Sequence, residues 1–176
     1  TFYIQGGQNY LPTDIKIEGD ASNAAFFEAA NILGGNVEVI GLDPESLQGD
    51  MAFKRHFEAL KSASSHPIDL SDCPDLAPVL ISLAALKNGA VFTDIQRLRL
   101  KESDRVASTI AMLNAFGIEA VANENTLIVF PGKFHGCTIN SQNAPRIAMS
   151  AAIAATVASG PVTILGAECV AKSYPA

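Results

Sequence analysis

The densest group of side chains able to bind anions and move protons is the run Arg97-Leu98-Arg99-Leu100-Lys101-Glu102-Ser103-Asp104-Arg105. It alternates basic and apolar residues along a strand end, then sets Lys101, Glu102, Asp104 and Arg105 at a helix start. Spacing alone reads such a run as a solvated, charge-balanced helix entry, the ordinary fate of mixed charges. Asp75 follows Pro74 directly before an apolar stretch, where a carboxylate can cap the helix expected over 76–86. Lys172 reads as an exposed loop lysine, and Gln48-Gly49-Asp50 as a turn with a helix cap. His56, His66 and His135 show no ligand spacing and are expected at the surface or in packing. Cys73, Cys137 and Cys169 are odd in number and far apart, so neither a disulfide framework nor a CxxC metal site is indicated, and a reducing cytoplasm fits.

These residues need a scaffold, and the chain has the composition of one. Its 176 residues are 48% hydrophobic and 17% charged, enough apolar content for a single folded domain with a real core. A net charge of -6 argues against nucleic acid or an anionic membrane as partner. The longest apolar stretch, 147–157, is too short to span a bilayer.

An internal repeat organises the chain. An Ala-Ala pair ending an apolar helix is followed by Gly and a short β-branched strand three times: Ala29-Ala30 to Gly35, Ala84-Ala85 to Gly89, and Ala154-Ala155 to Gly160. Each of these glycines is expected to close its helix in the left-handed conformation. The first two copies continue into a second, amphipathic helix, with Phe53, Phe57 and Leu60 in one and Val106, Ile110 and Leu113 in the other, the latter capped by Ser103. The expected helices are 22–33, 49–61, 76–87, 103–116 and 145–158. The expected strands are 2–5, 14–18, 37–40, 67–70, 90–94, 118–122, 126–130, 136–139 and 161–165. The pattern predicts an α/β (α+β) domain of repeated β-α-β-α-β-β units with pseudo-threefold symmetry and apolar inner helices. The inner helix N-termini, near Asp20, Asp75 and Arg146, should emerge on one face and attract anions.

The residues then carry a resemblance. The run 97–105 matches the LR-x-KE-S/T-DR signature of the EPSP synthase family of enolpyruvyl transferases. Glu18-Gly19-Asp20-Ala21-Ser22-Asn23-Ala24-Ala25 resembles its GDxSSAA segment, with Asn for the second Ser; Gln48-Gly49-Asp50 its QGD; Pro74-Asp75 its PD; and Cys169-Val170-Ala171-Lys172-Ser173-Tyr174-Pro175 its C-x-x-K-S/T-F/Y-P. The resemblance implies one half of a two-domain fold, with a lead-in over 1–13 and the C-terminal domain over 14–176, cut short at its end. It implies transfer of enolpyruvate from phosphoenolpyruvate to the 5-hydroxyl of shikimate 3-phosphate, without metal or cofactor. Asp75 and Glu102 would be catalytic, Asp75 as base and Glu102 in proton traffic. Arg105, Arg146 and Lys172 would hold phosphoenolpyruvate; Asp75, Lys101 and Arg97 would hold shikimate 3-phosphate.

Two positions depart from the family. Asn143-Ala144-Pro145-Arg146 keeps the Arg of its DHR segment but replaces Asp-His by Ala-Pro, and Arg97 stands where many relatives have Asn. The competing readings are the sister enzyme acting on UDP-N-acetylglucosamine, which lacks the Lys-Glu-Ser-Asp-Arg run, and a non-catalytic domain of the same fold. With Thr1 in place of an initiator Met and the third repeat stopping at Ala176, the chain reads as a piece of a longer protein, expected to lack activity without an N-terminal domain and, with the end of that repeat uncovered, either to self-associate through it or to be much less stable than a longer chain.

Overall fold

The computed structural model describes residues 1–62, 67–101 and 103–175. Three helices form the centre: α1 (Ala21–Ile32), α3 (Ala77–Leu86) and α5 (Pro145–Ala155) pack against one another. Alanine permits this closeness. Ala21, Ala25, Ala29, Ala77, Ala84, Ala85, Ala151 and Ala154 are all buried, so the helix backbones approach with few side-chain atoms between them. α3 is hydrophobic all round and buried from Ala77 to Ala85, as its position between the other elements requires. α2 (Phe53–Lys61) and α4 (Arg105–Phe116) lie outside: α2 packs on α1 and α3, α4 on α3 and α5. In α2, Phe53, His56, Phe57 and Leu60 face inward while Lys54, Arg55 and Glu58 face solvent. No described helix is long and apolar enough to cross a membrane.

β1 (Ile68–Asp69), β2 (Ala90–Thr93), β4 (Thr126–Val129) and β3 (Ala120–Ala122) form one sheet in that order. β1 runs parallel to β2, and the other two pairs are antiparallel. β5 (Cys137–Asn140) and β6 (Val162–Leu165) make a separate parallel pair. Gly89 turns the chain from α3 into β2 with φ +73° and its N–H on the Ala84 carbonyl at 2.8 Å; a Cβ there would lie 2.5 Å from the Val129 oxygen.

The structure corrects several local expectations. Gly34, not Gly35, takes the left-handed turn after α1, and Gly160 is absent from the positive-φ residues because Thr156, Val157 and Ala158 first wind down through tighter backbone bonds. Asp104 rather than Ser103 caps α4, accepting from the Ala107 N–H at 3.0 Å. The segments 96–100 and 167–172 form 3-10 turns, Gln96–Leu100 and Ala167–Lys172. The strands expected at 2–5, 14–18 and 37–40 do not form. A strand needs a backbone neighbour as well as alternation, and residues 1–18 have none among the described residues; Phe2 is 97% exposed. At Val37 the Asn31 side chain takes the ladder's place, accepting from its N–H at 2.7 Å and donating to its carbonyl at 2.8 Å. His66 lies outside the described residues.

Candidate active site

The starts of the three inner helices meet on one face, joined by side chains rather than by backbone. Asp20 caps α1, its Oδ1 accepting from the N–H groups of Ser22 and Asn23 at 2.8 and 3.2 Å and from the Ser22 hydroxyl at 2.7 Å. Arg146, in the first turn of α5 after Pro145, donates through Nη2 to Ser22 Oγ and to Asp75 Oδ2, each at 3.0 Å. Asp75 sits in the 3-10 turn Pro74–Leu76 that leads into α3. Thus one guanidinium ties all three starts together.

Asp75 is the centre of the cluster and not the helix cap its position implied: α3 begins without any side-chain cap. Its Oδ1 accepts from Arg105 Nη1 at 2.5 Å and pairs with Lys101 Nζ at 3.2 Å. The Arg105 side chain is 4% exposed and Asp75 27%, so the pair is shielded enough for its charge to matter. Burial alone pushes the Asp75 pKa up, but the hydrogen bond from Arg105 and the charges of Arg146, Arg105 and Lys101 outweigh it and hold the carboxyl below its ordinary 3.8.

Two further expected residues, Lys172 and Arg97, make their polar contacts elsewhere. Lys172 Nζ donates to Asn143 Oδ1 at 2.7 Å, beside a polar pocket of about 240 Å³ lined by Ser103, Gln142, Ala144 and Pro145. Arg97 is exposed and donates through Nη1 to the Ser71 carbonyl at 2.7 Å. Glu102 lies outside the described residues. Gln142 and Asn143 both adopt left-handed backbone (φ 53° and 59°), held by Ser108 donating to Gln142 Oε1 at 2.7 Å and by the Asn143 N–H donating to Ser141 Oγ at 3.2 Å. That turn aims α5, and with it Arg146, at Asp75.

The Gln48-Gly49-Asp50 segment is not a simple cap either. Gln48 accepts from the Ala21 N–H at 2.9 Å and donates to the Gly19 carbonyl at 2.8 Å, bracing the entry to α1. Asp50 lies in the 3-10 turn Gly49–Ala52, close enough to feel Asp75, Arg146, Asp20 and Lys101, and its pKa is pushed up to about 6, first by burial and next by the Asp75 charge. Its carboxylate beside a glycine was the available sequence signal. Among the described residues no three of His, Cys, Asp and Glu converge as a metal site needs. The arrangement suits a ligand with anionic groups, presented by two guanidinium forks and a lysine, and a proton transfer at the carboxylate between them.

A family model described as EPSP synthase (3-phosphoshikimate 1-carboxyvinyltransferase) matches residues 1–176. Proteins named 3-phosphoshikimate 1-carboxyvinyltransferase are similar over 99% of the chain: that of Clostridium acetobutylicum is 41% identical with 44% of its own length covered, and that of Clostridium kluyveri 37% identical with 45% covered. The structure of an EPSP synthase from Acinetobacter baumannii superposes on 96% of the chain with a TM-score of 0.78 and 27% identity, covering 46% of that protein. The chain therefore spans less than half the length of each of these relatives.

Proposed function

The chain belongs to the EPSP synthase family, and from that premise we propose that it forms one half of an active site that transfers enolpyruvate from phosphoenolpyruvate to the 5-hydroxyl of shikimate 3-phosphate, a step of aromatic amino acid synthesis. The observation that carries the reading is the convergence of Lys101, Arg105 and Arg146 on the Asp75 carboxylate from separate elements. In this reading the hydroxyl oxygen bonds to C2 of phosphoenolpyruvate, Asp75 takes the hydroxyl proton, and C3 gains a proton. Loss of a C3 proton then restores the double bond as the C2–O bond to phosphate breaks. Arg105, Arg146 and Lys172 hold the carboxylate and phosphate of phosphoenolpyruvate; Lys101 and Arg97 face shikimate 3-phosphate; Glu102 serves the proton exchange at C3.

Without ligand, Asp75 is a poor base because both of its oxygens rest on cations. Anionic substrates compete for those cations. As they take up Arg105 and Arg146, Asp75 loses the charges that keep it ionised and becomes a better acceptor, so binding and activation of the base are one event. A second, N-terminal domain closing over the site is the partner this chemistry needs, because it excludes water and adds further cations. The reading carries with it a cytoplasmic location, which the three free thiols fit. The relatives described above bear the name of the shikimate enzyme, so the sister reaction on UDP-N-acetylglucosamine is not favoured.

The test is phosphate release with both substrates. The chain by itself should give none above background; joined to the N-terminal half of the Clostridium acetobutylicum relative it should, and Asp75→Asn should remove it. A joined, folded protein that binds neither substrate counts against the reading.

A further inference from the structure

The turn Gly49–Ala52 packs against the turn Pro74–Leu76, with Gly49 against Asp72 just before it. A Cβ on Gly49 would lie 2.4 Å from the Asp72 carbonyl oxygen, so only glycine allows this approach. That packing leaves a second carboxyl, that of Asp50, within electrostatic reach of Asp75. Their surroundings differ. Asp20 spends both oxygens on the start of α1, and Asp75 has both of its own on Arg105, Lys101 and Arg146. Asp50 Oδ1 is buried with no hydrogen-bond partner among the described residues. From the elements packed around it, Asp50 is faced by Asp75 and Asp20 as anions and by Arg146 and Lys101 as cations. On the α2 side lies the buried contact of Cys73 Sγ with His56 Nε2 at 3.7 Å, which feels the Asp50 charge through Cys73.

Two carboxyls in one partly dry site do not ionise independently. We infer that Asp50 and Asp75 work as a coupled carboxyl pair, in which Asp50 is the positioning residue whose charge sets how readily Asp75 accepts a proton. The inference rests on the reading of Asp75 as the acceptor given above. In the ligand-free site the cations hold Asp75 ionised, and Asp50 is the carboxyl of higher pKa, near 6. When anionic substrates draw the cations off, Asp75 is left facing Asp50. A charged Asp50 then raises the basicity of Asp75, and a protonated Asp50 does not. Environments that push two carboxyls apart mark a division of labour between them.

Carbon-13 titration of the side-chain carboxyls of this chain reads the pair directly. In the unaltered chain the Asp75 carboxyl should show a second inflection at the midpoint of Asp50, and in Asp75→Asn the Asp50 midpoint should fall by about one unit. A single Asp75 inflection, or an Asp50 midpoint that stays in place in Asp75→Asn, overturns the inference. The first measurement needs no variant, so it decides the matter even if Asp75→Asn does not fold. In the joined two-domain protein, Asp50→Asn should move the acid limb of the pH–rate profile, which loss of packing alone would not; an unmoved limb also overturns it. If instead Asp75→Asn leaves turnover intact while the coupled titration is seen, the reading of Asp75 as acceptor fails and the pair stands.

Discussion

Arg146 Nη2 reaches Asp75 Oδ2 at 3.0 Å, joining the first turn of α5 to the turn before α3. The same guanidinium is an anion receptor and the partner of the candidate base, so occupancy of one role empties the other.

That competition predicts opposite effects from one substitution. Asp75→Asn should lower turnover of the joined two-domain protein by roughly 100-fold or more, because the amide cannot take a proton. In this chain the same change should tighten binding of inorganic phosphate about tenfold, since the cations no longer face an internal anion. Calorimetry with phosphate checks it. Weaker phosphate binding in a folded Asp75→Asn protein would show that Asp75 positions the cations rather than competing for them.

Stability should depend on pH in two opposed ways. The Asp75 pKa is lower folded than unfolded, so its contribution is present above its ordinary 3.8 and is lost as pH falls through the folded value. The Asp50 pKa is raised from 3.8 to about 6, so the folded state holds the extra proton between those values and stability drops as pH rises across that window. Asp50→Asn should therefore gain in Tm relative to the unaltered chain as pH goes from 4 to about 7. Melts at several pH values give the difference; a gap that does not change with pH would mean that Asp50 is not buried as a charge.

Gly49→Ala should destabilise the chain by about 1–3 kcal/mol, because the new methyl meets a backbone oxygen that cannot turn aside. For a domain of this size that is a Tm loss of several degrees. An unchanged melting temperature would show that the two turns separate without cost, and the Asp50 titration should then fall toward the ordinary carboxylate range.

Ala144 and Pro145 line the pocket beside Lys172, so space exists there for larger polar side chains. Ala144→Asp with Pro145→His should lower the KM for phosphoenolpyruvate in the joined protein and leave that for shikimate 3-phosphate nearly unchanged, because the added groups would orient Arg146 and Lys172. Equal shifts in both constants would place the effect on the fold of the turn at Gln142 and Asn143 instead.

The helices were legible in the sequence because their causes are local. The apolar run of α3, the alanines of α1 and α5, and the inward stripe of Phe53, Phe57 and Leu60 each declare a helix and its buried face within a few turns. Motif resemblance likewise pointed to Asp75, Lys101, Arg105 and Arg146, which the fold brings together. Sequence could not decide what Asp75 does with its oxygens. A carboxylate after proline has a cap within reach, but Arg105 and Arg146 offer stronger, charge-assisted bonds from 30 and 71 residues away, and only packing delivers them. The same reason separates the strands that formed from those that did not: Ala90–Thr93 finds Thr126–Val129 alongside, whereas 2–5 and 14–18 meet no backbone partner among the described residues. Asp50 was hidden for a related cause, since its environment is made by the contact of Gly49 with Asp72, two residues whose closeness no local pattern records.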